Sequence, residues 1–331
     1  MKEVKPIKIV SMGKYLPKKI TSSDLEEKFS IPNGWCERYS GVESRHHATT
    51  ETNGSMGAKA ADLALRKANL KLSDMDLMIS ASGTYDYPLP NQASVIKSLM
   101  KHGDMADVAA IDINSACLSF VSAFEMAAKM LDGNASKNML IVSSEIASIG
   151  LNENNWETAT LFGDAAVAAV LQYDETGSSN FIKGGQKTYS KGMEYAMIKG
   201  GGNAFFFKDH PYDKELHSFQ MKGKQLLRMA KRKIPEFMDW FFKDLPGGLL
   251  DVDVIIPHQA SKTGMMLLEG LYNFKEGQIK STLKKYGNCI AASIPLTLHD
   301  FIESGDIKRG DRCMLSGTSA GFSIGGVLIT Y

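Results

Sequence analysis

Three short stretches of the 331-residue chain combine side chains that could do nucleophilic chemistry. In "NSACLSF", Cys117 stands among small residues, where an apolar run gives way to an amphipathic stretch. The backbone N–H groups and dipole at a helix start would lower a thiol pKa and favour the thiolate. In "IIPHQAS", His258 directly follows an apolar strand pattern, where a loop at the carboxyl end of a parallel sheet would expose it. In "YGNCIAAS", Asn288 occupies a Gly-Asn turn ahead of another helix rich in small residues. A cysteine with an imidazole and an amide is a known nucleophilic arrangement. Each residue also has an ordinary reading: a free cysteine as core, a histidine as structural, an asparagine as turn former. The three lie far apart in the chain, so only the fold can join them.

The elements that must position them are legible from periodicity. "IKIVSMGKYLP" reads as a strand and turn, and "GSMGAKAADLALRKANL" as a helix capped by Asn53 or Ser55. "LMISASGT", "DVAAIDI" and "NMLIVSSEI" read as strands, separated by the helices "NQASVIKSLMKH" and "SFVSAFEMAAKML". Residues 175–215 are poor in pattern and read as loops and short strands, with the "GGG" at 200–202 a turn rather than a phosphate cradle. A second part follows with the helix "GKQLLRMAKRKIPEFMDWFF", the strand "DVIIPH", helices at "GMMLLEGLY" and "AASIPLTLHDFIES", and the strands "RCMLSGTS" and "GGVLITY". Alternating strands and helices predict a layered α/β architecture with parallel strands. Apolar helices near 117 and 291 hint at duplication of one unit.

Composition narrows the class. With 38 basic and 37 acidic residues the net charge is +1, which gives no global case for nucleic acid or an anionic membrane. The cysteines at 36, 117, 289 and 313 have neither C-x-x-C nor metal-ligand spacing, so reduced thiols are expected and no metal. "MKEVKPIKIV" lacks the apolar core of a signal peptide, and no apolar run is long enough for a membrane span. The expectation is a soluble, cytoplasmic protein.

Seven stretches, in order, carry a resemblance: "SGVESRHHA", "DINSACLSFVSAFEMA", "LFGDAAVAAVL", "MKGKQLLRMA", "IIPHQAS", "YGNCIAASIPLTL" and "GFSIGG". In these the chain resembles the β-ketoacyl-acyl carrier protein synthase III family of the thiolase superfamily along nearly its whole length. The resemblance implies a thiolase-like five-layer αβαβα fold made of two duplicated halves, 1–172 with the nucleophile and 173–331 with the His/Asn pair. It implies a homodimer and no cofactor. Cys117 would take an acyl group from a coenzyme A or carrier-protein thioester. His258 and Asn288 would assist decarboxylation of malonyl-acyl carrier protein and spare the acylation step. The backbone N–H groups of Cys117 and Gly321 would form the oxyanion hole, and Leu89 in "YPLPN" would reach the partner's acyl pocket. Lys224, Arg228, Lys231 and Lys262 would face the acidic carrier protein, with Lys222, Arg232, Lys233, Lys284 and Lys285 near that patch.

The substrate mouth departs from the family pattern. Trp35 stands where an adenine-stacking tryptophan belongs, but Tyr39 and Trp156 occupy positions where arginines are expected. Aromatic rings could still hold an adenine, but phosphate contacts would weaken. Coenzyme A and a carrier protein therefore both stay open as acyl donors. A specialised synthase with carrier-bound or longer donors, and a catalytically silent partner subunit, are the rival readings. Cys36, Cys289 and Cys313 do not look catalytic, and Glu145 in "SSEI" reads as a structural carboxylate or a general base.

Overall fold

The computed structural model describes residues 4–331. Its first part runs β1 (Ile7–Tyr15), β2 (Lys18–Thr21), α1 (Ser22–Lys28), α2 (Trp35–Tyr39), β3 (Ser44–His47), α3 (Asn53–Ala68), β4 (Leu77–Ser80), α4 (Gln92–Leu99), β5 (Ala109–Asp112), α5 (Ser119–Met130), β6 (Asn138–Glu145), α6 (Trp156–Ala159) and β7 (Ala165–Tyr173). The rest runs β8 (Asn180–Thr188), β9 (Ala196–Met197), β10 (Gln220–Met221), α7 (Gly223–Phe242), β11 (Val254–Pro257), α8 (Lys262–Leu271), α9 (Leu283–Tyr286), α10 (Ser293–Glu303), β12 (Arg312–Ser319) and β13 (Ser323–Thr330).

Two large sheets form, ordered β1-β7-β6-β4-β5 and β11-β12-β13-β8. Both are mixed, which corrects the expectation of parallel strands. β4 lies parallel to β5 and β6, and β11 parallel to β12. β7 runs antiparallel to β1 and β6, and β13 antiparallel to β12 and β8. The cause is local: only residues 320–322 separate β12 from β13, too few for the crossover that a parallel pair needs. β8 is a nine-residue strand inside the region read as pattern-poor; Gly184, Gly185 and its lysines hide its periodicity.

Period-two burial builds the layers. Met78, Leu140 and Val142 face α3 and α4, while Ile79, Met139 and Ile141 face inward with α5 and α10. That inner layer also receives Ile256, Leu315 and Val327 from the second sheet, whose outer face packs Ile255, Met314 and Leu328 against α7. The result is five layers, helix–sheet–helix–sheet–helix. α5 is buried on most sides; fully enclosing Phe120 or Phe124 contributes about 1.5–3 kcal/mol each. The N-cap of α3 is Thr52, rather than Asn53 or Ser55. Its hydroxyl accepts from Ser55 N at 3.1 Å while Ser55 Oγ accepts from Thr52 N at 3.0 Å, a reciprocal box that satisfies two helix-end donors. Among the described residues no helix is long and apolar enough to cross a membrane.

Candidate active site

Cys117 sits on the turn that leads from β5 into α5, directly before the N-cap Leu118. Small residues are required there because the turn is closed by side chains. Asn114 Oδ1 accepts from Ala116 N at 2.9 Å, and Ser119 Oγ accepts from Ser115 N at 3.0 Å while donating to Ala116 O at 2.6 Å. Ser122 Oγ donates to Gln186 Oε1 and accepts from Ser115 Oγ, both at 2.9 Å, which fastens the turn to the second sheet. Ala116 adopts φ 50°, a left-handed conformation costly for alanine, and this network holds it.

His258 follows β11, as its position after an apolar run predicts, with its N–H donating to Ser316 O at 2.8 Å. Next to it, Gln259 Oε1 accepts from Ser281 Oγ at 2.7 Å and from the N–H groups of Thr282 and Leu283 at 3.1 Å. Asn288 Nδ2 donates to Ala260 O at 3.1 Å, and its Oδ1 accepts from Ile290 N at 2.9 Å. The histidine and asparagine loops are thus tied directly. Gly287 lets them meet the first half: at φ 69°, a Cβ on it would lie 2.3 Å from Leu161 O.

Two cavities join at this point. One, about 340 Å³, is lined by Cys117 and Asn288 with Thr84, Phe162, Met197 and Phe219. The other, about 420 Å³, runs outward to a mouth holding Trp35, Tyr39, Glu157 and Lys224. Leu161, Met221, Leu226, His258, Ala260 and Thr318 line both, so the two are parts of one channel. At the mouth, the Trp35 ring lies 4.8 Å from Tyr39, tilted 31°, and 5.7 Å from Trp156, nearly edge-on at 80°. Cys117, His258 and Asn288 therefore come together on one wall system, whereas Leu89 is 86% exposed and lines neither cavity. Arg228, Lys231 and Lys262 are exposed beside the mouth, and Lys224 forms part of it. Lys222, Lys233, Lys284 and Lys285 pair with Glu194, Glu236, Glu43 and Asp300.

The electrostatics overturn the expected thiolate. Burial in the apolar cavity, with the nearby Glu145 carboxyl, pushes the Cys117 thiol up to about 12, against the weaker pull of the backbone N–H groups of Ala320 and Cys117. Desolvation outweighs the helix start. Gly321, next to Ala320, takes φ 78° in the β12–β13 turn. Burial alone drops His258 to about 4, so its imidazole is neutral at ordinary pH, and its Nδ1 has no hydrogen-bond partner among the described residues. Glu145 is fully buried and raised to about 7 by that burial, despite accepting from Gly83 N (2.6 Å), Thr84 N (2.9 Å) and Thr84 Oγ1 (2.6 Å). Burial likewise raises the thiols of Cys36, Cys289 and Cys313, which line neither cavity.

Sequence reasoning missed Thr84, Met197, Phe219 and Met221. Met197 belongs to β9 in the pattern-poor region, while Phe219 and Met221 lie after it at β10, which pairs with β9 beside the cavity that holds Cys117. "LFGD" was the one visible signal for Phe162.

Profiles described as 3-oxoacyl-[acyl-carrier-protein (ACP)] synthase III and its C-terminal domain match residues 111–190 and 248–331. The chain is 31% identical to a β-ketoacyl-[acyl-carrier-protein] synthase III of Vesicomyosocius okutanii, with 98% of each chain covered. The Campylobacter concisus protein of the same name is 30% identical, over 98% of this chain and 96% of the other. The crystal structure of 3-oxoacyl-[acyl-carrier-protein] synthase III from Aquifex aeolicus superimposes with a TM-score of 0.86 at 30% identity, covering 99% of this chain and 100% of that one. By this likeness in sequence and fold, the chain belongs to the β-ketoacyl-[acyl-carrier-protein] synthase III family, acyl-transferring condensing enzymes of fatty-acid biosynthesis.

Proposed function

We propose that this enzyme carries the growing acyl group on Cys117 and extends it with a malonyl unit held on acyl carrier protein. In the first step Cys117 Sγ attacks an acyl thioester; the new S–C bond forms as the old one breaks, and the thiol proton leaves with the departing thiol. In the second step malonyl thioester loses CO2. Asn288 Nδ2–H and the neutral His258 imidazole donate to its carbonyl oxygen, where negative charge develops. Uncharged donors stabilise that oxygen without anchoring the carboxylate that must leave. The resulting carbanion attacks the acyl-Cys117 carbonyl, whose oxygen is held by the N–H groups of Cys117 and Gly321. The C–C bond forms, the C–S bond to Cys117 breaks, the released thiolate takes up a proton, and the β-ketoacyl carrier product departs.

The observation that carries this reading is the single channel that leads from the aromatic mouth past His258 to Cys117 and Asn288. The division of labour follows two proposed halves, 1–172 supplying the nucleophile and 173–331 the donor pair. Lys224, Arg228 and Lys231 recur at spacings of four and three on α7, one face suited to an acidic carrier protein. A homodimer is supported by the open edge of β5, where Ile111 is 41% exposed, and by the exposed Leu89, Met126 and Met130. In that dimer Leu89 would approach the partner's site. Four free cysteines fit a cytoplasmic setting.

Intact and native mass spectrometry test the reading together. The wild type gains an acyl adduct from a thioester donor; Cys117→Ala gains none and still runs as a two-chain assembly. An adduct that persists in the variant would remove Cys117 from its role.

A further inference from the structure

The distribution of charge around the mouth bears on what delivers the first acyl group. Inside the mouth the charged side chains are Glu157 and Lys224, one of each sign. Trp35 and Tyr39 also line it, and their rings pack on each other. Trp35 has Tyr39 near one face at 4.8 Å and Trp156 against it at 5.7 Å. A purine entering the mouth would compete with Tyr39 and Trp156 for contact with Trp35. A nucleotide thioester also carries several phosphate charges, and the Glu157 side chain in the mouth opposes their approach.

The positive charge lies outside. Arg38, Arg228, Lys231, Arg232 and Lys262 are exposed there, and none forms an ion pair among the described residues. Lys262 Nζ donates to Arg38 O at 2.8 Å, which ties the start of α8 to the end of α2 at the rim. These cations stand on α2, α7 and α8, a patch whose charge complements an acidic protein surface. The arm such a protein carries ends in pantetheine, with one phosphodiester at its base. Only the largely uncharged length of that arm would pass Glu157 and the rings.

We propose that the acyl group that primes Cys117 arrives on the phosphopantetheine arm of an acidic carrier protein, and that free nucleotide thioesters are inferior donors. The inference rests on the acyl-Cys117 reading above. Atoms balance as in any thioester exchange: the acyl carbon leaves the arm's sulfur for Cys117 Sγ, and the thiol proton passes to the arm's sulfur.

The experiment offers the purified enzyme the same acyl groups, from acetyl to decanoyl, on coenzyme A and on acyl carrier protein. The rate of Cys117 adduct formation is followed by intact mass. The carrier donor is expected to acylate with at least about tenfold higher efficiency, a margin that shrinks as salt rises. Tyr39→Arg combined with Glu157→Gln places net positive charge in the mouth and should raise the coenzyme A rate several-fold, a gain that misfolding cannot produce. Equal or better acylation by coenzyme A, with the adduct on Cys117, overturns this inference and leaves the nucleophile assignment standing. Adducts that survive Cys117→Ala, or none from any donor, overturn both.

Discussion

Around Cys117, three serines and an asparagine hydrogen-bond across a single turn, and a non-glycine residue is held in left-handed backbone. Around Trp35, at the other end of the same channel, three rings rest on one another and Tyr39 is 54% exposed. The contrast fits what the proposed reaction asks of each end. Forming and breaking bonds demands that the sulfur, the donors and the thioester stay within a fraction of an ångström, so the floor is fixed by redundant contacts. Capturing a long flexible arm demands only surface and charge of the right kind, so the mouth can be rebuilt without touching the chemistry.

Substitutions at the two ends should therefore fail in different ways. The largest effect is expected at the floor: Asn288→Ala should slow malonyl decarboxylation about 10²–10³-fold while leaving acylation of Cys117 intact, as single-turnover assays of each half-reaction would read. Equal losses in both steps would break the division between floor functions. Next comes Glu145, the buried carboxyl behind the cysteine turn. Its folded pKa is raised, from 4.5 to about 7, so its contribution to stability is fully present below the unfolded value and is lost as pH rises through about 7. That swing is on the order of 3 kcal/mol. The stability difference between wild type and Glu145→Gln, measured by denaturant unfolding, should shift against the wild type between pH 4.5 and 8. A difference that stays flat would mean the carboxyl is not buried as a titrating group. His258 acts oppositely, since its lowered pKa removes stability as pH falls below about 6.5, and it is common to both proteins. The smallest effect belongs to the mouth: Trp35→Ala should raise KM about tenfold and leave kcat nearly unchanged. A fall in kcat at constant KM would show the mouth to be part of the floor.

How much of this the chain announces also differs between the two ends. Cys117, His258 and Asn288 are visible because small residues, an apolar strand and a Gly-Asn turn are local patterns, and each stays at its place in the fold. The protonation of Cys117 is not local. It depends on the apolar cavity and on Glu145, which joins the site through Gly83 and Thr84 rather than through any nearby residue in sequence. Strand direction likewise depends on turn length and sheet order, which periodicity does not encode. The wall contributed by Met197 is hidden in a region whose glycines and lysines obscure its strands, and Phe219 and Met221 come from a two-residue strand and its approach, too short to show a period. At the mouth, the types of Tyr39 and Trp156 were visible, but their mutual packing with Trp35 required the structure.

The corridor past Leu161, Met221 and Leu226 is shared by the outer and inner cavities, and sharing imposes traffic rules. On the proposed reaction, a spent arm must withdraw before the next can thread in, so the two partners would visit in alternation rather than assemble at once. An excess of extender arms would queue ahead of primers and idle the unloaded cysteine. With both groups delivered on carriers as proposed, throughput would follow the ratio of the two charged carriers more than the abundance of either.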